Sequence, residues 1–595
     1  MKISSASDNF LGHPKGLYVC FTTEMWERFS FYGMKYLLLL YLTKHHLFSD
    51  GKGLDVLGAY AGLVYALPVI GGLIADRYLG ARKAVMFGGL LLVIGHSLMT
   101  VEGFEAVSYA AGTQLTQNLV LPDGAIVSAG TTLSKAITLQ DEGALKVFYL
   151  ALAFIVAGVG FLKPNISVIV GKLYPENDPR RDSGFTIFYM GINLGSVIAI
   201  LACGWLGETY GWKYGFGLAG IGMLIGMATF SYGQKYLKGF AEAPNPSLLR
   251  EKMFAGFSRE HMIYLATFPA IAVLWFLVQS EPVVHITQNI FLLVGIICII
   301  AYSMLHKKAT HHTKPVFIFS ALTFLIGLGA ILTQNHVIVL SETTTEFILY
   351  GTILSFLAFI GYGYKAYWSP EFSRTVVLMA LVVSSIVFWS LFEQSAGSMT
   401  LYADRVVDRE INGFTVLASQ FAALNAGFIV LLAIPFALLW PWLNKRNLNP
   451  NTALKFAIGT IQVGLGFGAL VLGAKFPDSS GKVAAIWLVL ANLFHSTAEL
   501  CISPIGLSAV STLSLPRVVG VSMGTWFVAT ALSETVAFRL SKLAAIDTTA
   551  GGSSPLEMLA SYTALFEYLM WIGIGFGVFM LIISPLLKKG MYSAK

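Results

Sequence analysis

Apolar runs of about twenty residues, separated by short polar breaks, follow one another along nearly the whole chain. At a rise of about 1.5 Å per residue, each run is long enough to cross a bilayer as a helix. The pattern predicts sixteen spans. Six lie near 17–43, 56–76, 84–101, 147–171, 184–206 and 214–234, and four near 261–280, 286–305, 315–334 and 347–364. The last six lie near 375–398, 414–443, 453–474, 484–508, 518–543 and 568–587. Two stretches interrupt the regular alternation. The loop near 102–146 is long, polar and rich in Thr, Gly and Ala. No internal repeat is visible along the chain, though carriers often hide 3+3 inverted repeats below sequence detection. The four middle spans contain no Asp, Glu, Lys or Arg, so they read as a lipid-facing accessory element. This divides the chain into an N-terminal six-helix bundle at 1–234, a linker with inserted helices at 235–374, and a C-terminal six-helix bundle at 375–595.

The first span breaks the apolar rule along one stripe. Glu24, Glu27, Arg28, Phe31, Tyr32 and Lys35 recur at the period of a single helix face. Facing lipid, each ionisable group would cost roughly 2.5–3.5 kcal/mol, and the set on the order of 10 kcal/mol. The stripe therefore faces a water-filled cavity or the protein interior with its charges paired, as a binding and proton-relay site requires. Phe31 has no polar task and is expected to pack.

Other intramembrane polar groups are few. Lys163 lies in Gly160-Phe161-Leu162-Lys163-Pro164-Asn165, where Pro164 removes a backbone donor and loosens the helix. Glu499 lies mid-span ahead of Pro504, and Glu393 lies toward the end of its span. Glu534, with Arg539 close by, reads as a solvated helix end. Setting Glu24, Glu27, Glu393 and Glu499 against Arg28, Lys35 and Lys163 leaves one carboxylate in surplus, which a low-dielectric site neutralises with a proton. His96 and His495 are expected to make local hydrogen bonds. Trp389 and Trp526 fit either packing or interfacial anchoring.

Composition narrows the class. The chain is 56% hydrophobic and 12% charged, against about 25% charged in soluble domains. It reads as an all-α polytopic membrane protein. The net charge of +7 calls for no nucleic acid, because the basic residues gather in short loops: Arg77–Lys83, Lys172–Arg181, Lys235–Arg259 and Lys307–Lys314. Placing these on the inside puts both termini in the cytoplasm. The stretch Lys235–Arg259, with Pro244 and Pro246, reads as a linker or an amphipathic surface helix, a solvated cytoplasmic segment either way. Cys20, Cys203, Cys298 and Cys501 lack metal-like spacing and are expected to be buried free thiols. The first apolar run is too long and too charged for a signal-peptide core, so no cleavable signal is expected. No zinc-protease, serine-hydrolase or phosphate-loop motif is present, which argues against an enzyme. A channel leaves intramembrane charges of both signs unexplained.

At these residues the chain resembles the proton-dependent oligopeptide transporter family of the major facilitator superfamily. Glu24-x-x-Glu27-Arg28-Phe29-x-x-Tyr32-Gly33 is similar to that family's first-span signature. Gly71-Gly72-Leu73-Ile74-Ala75-Asp76-Arg77-Tyr78-Leu79-Gly80 and Phe188-Tyr189-Met190-Gly191-Ile192-Asn193-Leu194-Gly195-Ser196 resemble its second- and fifth-span signatures. The segments Trp389–Gln394, Asn425 and Glu499–Leu507 match as well. The resemblance implies a major facilitator fold, two six-helix bundles plus about four extra central helices, and proton-driven import of di- and tripeptides by alternating access. An amino acid, nitrate or a drug-like molecule is the alternative substrate. It further implies a monomer in the cell (inner) membrane, with the proton as coupling ion and no other cofactor.

The resemblance also implies roles. Residues matching Arg28, Lys35 and Lys163 attract the peptide carboxylate; those matching Asn193, Asn425 and Glu499 hold its amine. Tyr32 and Tyr65 match tyrosines on the peptide backbone, and Trp389 and Trp526 match side-chain pocket walls. Glu393 and Ser503 fall in matched segments and join the substrate-binding set. Glu24, Glu27, Arg28, Lys163 and Glu499 form the proton-coupling set, the first two exchanging a proton or salt bridge with Lys163. Three departures stand out. Gly58 occupies the place of a second-span histidine in animal members, four central spans appear where bacterial members usually have two, and the 102–146 loop has no common counterpart.

Overall fold

Long helices form where the apolar runs predict them. A computed structural model describes residues 9–592 apart from 122–124, 176–177, 179, 238, 255, 307–312, 412 and 547–553. A short hairpin of β1 (Asn9–Phe10) and β2 (His13–Pro14) precedes α1 (Lys15–Leu40). Then come α2 (Asp50–Ile74), α3 (Ala81–Leu98), α4 (Glu142–Lys172), α5 (Arg181–Tyr210) and α6 (Trp212–Gly233). The central block holds the short α7 (Pro246–Arg250), α8 (Arg259–Leu277), α9 (Glu281–Leu305), α10 (Thr313–Gln334) and α11 (Glu342–Ala366). The last group is α12 (Pro370–Phe392), the short α13 (Ser398–Arg405), α14 (Ala423–Lys445), α15 (Thr452–Gly473), α16 (Ile486–Leu513), α17 (Val519–Ser541) and α18 (Pro555–Gly590). Among the described residues, fourteen helices are long and apolar enough to cross a membrane. Two long helices, α1 and α17, are not among them, and both carry charges into the interior.

Helices α1–α6 form one bundle, with α1 against α5 and α6 and α4 against α2 and α3. Helices α12 and α14–α18 form the other, with α15 against α16 and α18 and α12 against α17. The bundles meet along α2–α17 and α5–α14. Small residues permit the tightest approach: a methyl group on Gly71 of α2 would land on the carbonyl oxygen of Gly160 in α4. That contact lies one helical turn before Lys163 in α4.

All four central spans are helices, but α9 is not a lipid-facing accessory. It packs on α17 and α2 and buries Glu281, His285 and Gln288. Glu281 accepts from Arg539 at 2.7 and 3.1 Å. His285 Nδ1 lies 3.1 Å from the Thr535 hydroxyl, which donates to Gln288 at 2.9 Å. Buried polar groups need such partners; Glu281 was overlooked because it precedes the predicted start of its span. Helix α11 fits the accessory reading, with Phe347, Tyr350 and Leu354 exposed.

The basic stretch 235–259 is docked rather than fully solvated. Gly80, at φ 75°, turns the chain after α2, and the Arg82 amide donates to Ala241 at 3.0 Å. Arg82 pairs with Glu242 at 2.7 Å, and Leu249 is buried. Residues 307–312 of the next basic loop, and 176–177 and 179 of the one before, lie outside the described residues. Cys298 is exposed, unlike the other three thiols.

The 102–146 loop contains a repeat that the sequence reading did not anticipate. Strands β3 (Val107–Tyr109) and β6 (Ile137–Leu139) pair, as do β4 (Leu119–Val120) and β5 (Ile126–Val127). Ala111-Gly112-Thr113-Gln114-Leu115 and Ala129-Gly130-Thr131-Thr132-Leu133 are near copies, and they exchange equivalent bonds. The Gly112 amide donates to Leu133 and the Gly130 amide to Leu115, both at 2.7 Å; the Leu115 amide donates to Thr131 at 3.0 Å and the Leu133 amide to Thr113 at 2.9 Å. Leu115, Leu119 and Leu133 make a small core. The module is strapped to the far end of α1, where Ala106 donates to the His45 carbonyl at 2.8 Å.

Candidate functional site

A cavity of about 440 Å³ opens between the bundles, lined by α1, α2, α4 and α5 on one side and α12, α14, α16 and α17 on the other. Helix α1 contributes Glu24, Arg28 and Tyr32; α2 and α4 contribute Tyr65 and Lys163; α5 contributes Asn193. From the opposite bundle come Trp389, Glu393, Asn425, Glu499, Ser503 and Trp526. Of the anticipated site residues, Glu27 and Lys35 do not line the cavity; both are buried immediately behind it. The side chains of Pro504, Ile505 and Leu507, in the matched Glu499–Leu507 segment, lie outside the described ones.

The charges on the α1 stripe divide into two clusters. Arg28 Nε lies 3.1 Å from Glu24 and 2.5 Å from Glu27, and Nη2 donates to Glu27 at 2.9 Å. Lys35 Nζ lies 3.0 Å from Glu393 and 3.3 Å from Glu534, so one ammonium ties α1 to the opposite bundle. Phe31 packs, as expected, but beneath both cations: the Arg28 guanidinium lies 5.2 Å and the Lys35 ammonium 5.9 Å from its ring centroid. Tyr32 stacks on Tyr36 with centroids 6.1 Å apart.

Lys163 makes no ion pair among the described residues; its ammonium sits 4.0 Å from the Tyr65 ring centroid. Glu24 and Glu27 are instead held by Arg28. Across the cavity, Asn425 Nδ2 donates to Glu499 at 3.4 Å and to Ser496 at 3.1 Å. Asn193 bonds back to the Tyr189 carbonyl at 3.3 Å, its amide bordering the cavity. His495 packs between Phe392 and Phe467 rather than reaching Glu499. Neither ring nitrogen of His96 makes the expected local hydrogen bond.

Glu534 corrects the sequence reading most. It is 1% exposed and lines the cavity rather than capping a solvated end. Arg539, close by in sequence, is held by Glu281 instead of marking a solvated end. The signal was present, because Trp526, Thr530, Ser533 and Glu534 share one face of α17 and all line the cavity. Tyr36 and Tyr189 were also missed; each lies one helical turn from an anticipated residue, Tyr32 and Asn193.

Ion pairs hold the bundles together at the end carrying the β module. Asp50 receives both Arg405 Nη groups at 2.6 Å, Lys44 meets Asp404 at 2.6 Å, and Lys542 meets Asp55 at 2.6 Å. At the opposite end, no ion pair joins the bundles among the described residues.

Comparison with known proteins places this geometry. A family model described as the POT family matches residues 82–259 and 290–556. The chain is 33% identical to the peptide transporter YePEPT of Yersinia enterocolitica, over 89% of this chain and 87% of that one. It is 30% identical to the uncharacterized transporter YclF of Bacillus subtilis, over 98% and 96%. A crystal structure of a variant of peptide transporter POT in complex with alafosfalin matches with a TM-score of 0.66 at 28% identity, covering 98% of this chain and 97% of that one. The chain, a multi-pass membrane protein with the major facilitator fold, belongs to the POT family.

Proposed function

We propose that the protein imports di- and tripeptides by proton-coupled alternating access. One observation carries this reading: a single cavity has Arg28 and Lys163 on one bundle and Glu499 with Asn425 on the other. A zwitterionic peptide needs a cationic and an anionic pole at fixed separation, with apolar walls between. Arg28 and Lys163 receive the carboxylate, and Asn193, Asn425 and Glu499 the amine. Tyr32 and Tyr65 border the backbone, and Trp389, Ser503 and Trp526 border the side chains. A volume of about 440 Å³ suits a small ligand, since such sites run from ~300 to ~1,000 Å³.

Glu24 and Glu27 carry the proton, releasing Arg28 when protonated and trading partners with Lys163. The ion pairs at the module end support an inward-facing state. In this reading both termini lie in the cytoplasm and the protein sits in the inner membrane of the cell as a monomer. The halves at 1–234 and 375–595 rock about the site, and proton and peptide occupancy set the balance. The proton is the coupling ion, and no other cofactor enters.

The test is uptake of labelled dialanine into proteoliposomes, with and without a proton gradient, in competition with di-, tri- and tetrapeptides, amino acids and nitrate. Glu27→Gln and Glu499→Gln are each expected to abolish gradient-driven accumulation. Parental accumulation in both variants would overturn the scheme, and competition by nitrate or amino acids alone would reassign the substrate.

A further inference from the structure

The charge count changes once Glu534 is in the site. Arg28 faces Glu24 and Glu27, and Lys35 faces Glu393 and Glu534: two clusters, each with one cation from the α1 stripe and two carboxylates. Lys163 offsets Glu499. The site is therefore two protons short of neutrality rather than one, in surroundings where net charge is expensive.

We propose that Glu534 is a second coupling carboxylate: with Glu393 it holds a proton additional to the one carried by Glu24 and Glu27, so that two protons accompany each neutral dipeptide. This rests on the reading of the protein as a proton-coupled peptide importer. The geometry supplies the reason. Glu393 and Glu534 bond the same ammonium at 3.0 and 3.3 Å, so their oxygens are separated by no more than those two contacts end to end. Lys35 belongs to one bundle and the glutamates to the other. Opening the module end withdraws Lys35 from both and leaves two carboxylates side by side in a buried site. A proton taken from water on that side forms an O–H on one of them and removes the repulsion. Closure returns Lys35 to the pair, and the proton leaves to water on the opposite side.

The groups around Glu534 are consistent with this. Lys35 approaches from α1, Tyr60 and Tyr65 from α2, Lys163 from α4, and Glu393 from the end of α12. Behind it, two α9 groups have partners of their own: Glu281 holds Arg539, and His285 bonds Thr535. Lys35 is thus the nearest cation to Glu534, and it is shared.

The experiment is equilibrium accumulation of a neutral dipeptide in proteoliposomes clamped at zero membrane potential, read against the imposed pH difference. Each coupled proton multiplies accumulation about tenfold per pH unit, so two give about 100-fold. The wild type is expected near 100-fold per unit, Glu534→Asp likewise, and Glu534→Gln about tenfold. A tenfold slope in the wild type overturns the proposal, and so does an equal slope in Glu534→Gln. The wild-type slope decides the matter even if the glutamine variant inserts poorly. Absence of any gradient-driven dipeptide accumulation in the wild type would instead sink the underlying reading of the transporter.

Discussion

The Lys163 ammonium rests over the ring of Tyr65, 4.0 Å from its centroid, while the two glutamates on the neighbouring helix are occupied by Arg28. Lys163 is therefore parked on a π face, available to a substrate carboxylate without first breaking an ion pair. A cation–π contact of this kind contributes ~0.5–2 kcal/mol. Tyr65→Phe keeps the face and is expected to leave the KM for dialanine near the parental value. Tyr65→Ala frees Lys163 to fall onto Glu24, and KM should rise several-fold. Equal KM values for the two variants would refute the parking role.

The Asp50–Arg405 pair, bidentate and with Asp50 1% exposed, is the strongest tie at the module end. Removing one partner of a buried pair costs about 3–5 kcal/mol. Asp50→Asn should shift the population toward an open module end. Spin labels on Gly51→Cys and Leu543→Cys, two positions with room for a probe, should then report a longer distance. The double exchange Asp50→Arg with Arg405→Asp should recover much of the short one; an unchanged distance distribution in Asp50→Asn would exclude the pair as a latch.

Gly71 and Gly62 should tolerate no side chain. At Gly71 an added carbon meets the Gly160 carbonyl, and at Gly62 it comes within 2.5 Å of Gln288 and 2.8 Å of Thr535. Overpacking of this kind typically costs ~1–3 kcal/mol; at Gly71 the obstacle is backbone, which cannot step aside, and at Gly62 it is packed side chains that would have to shift. Gly71→Leu and Gly62→Leu should lower the melting temperature in detergent by several degrees, whereas Gly361→Leu in α11, with open space around it, should not. Equal melting temperatures for all three would contradict the close approach.

His46, in the loop after α1, gives the module's attachment a pH dependence. Burial, with His45 adding to it, lowers its pKa from 6.5 to about 4. A depressed folded pKa means that its contribution is fully present above pH 6.5 and is lost as pH falls toward 4. The protection factor of the Ala106 amide, bonded to the His45 carbonyl, should fall over that window once the intrinsic pH dependence of exchange is divided out, and fall less in His46→Gln. An unchanged protection factor in the parent would rule this out.

Much of this was readable in one dimension. The apolar runs announce themselves by length and the α1 stripe by its helical period, because a helix in lipid must be long, apolar and polar only where it faces protein. Nearly all the anticipated site residues border one cavity for the same reason. What was not readable depends on how neighbouring helices turn about their axes. Arg539 lies close to Glu534 in sequence, yet it pairs with Glu281 of α9 while Glu534 pairs with Lys35 of α1. The β repeat escaped notice because its copies are short and polar, and their likeness lies in backbone bonds more than in an apolar pattern.

In that module, Val107 pairs with Leu139, so the chain enters and leaves at one place. To the helices it is a detour of almost no length, and α3 and α4 pack as neighbours across it. The module's size and composition are thus free to vary without disturbing the frame, provided that both copies change together, since each supplies the other's bonding partners. What it gives the bundle in return is a clasp. The Glu102 carbonyl accepts from Tyr41 at 3.3 Å and lies 3.0 Å from His45 Nε2, and Gln140 holds the His46 carbonyl. The clasp anchors the far end of the helix that carries the charged stripe.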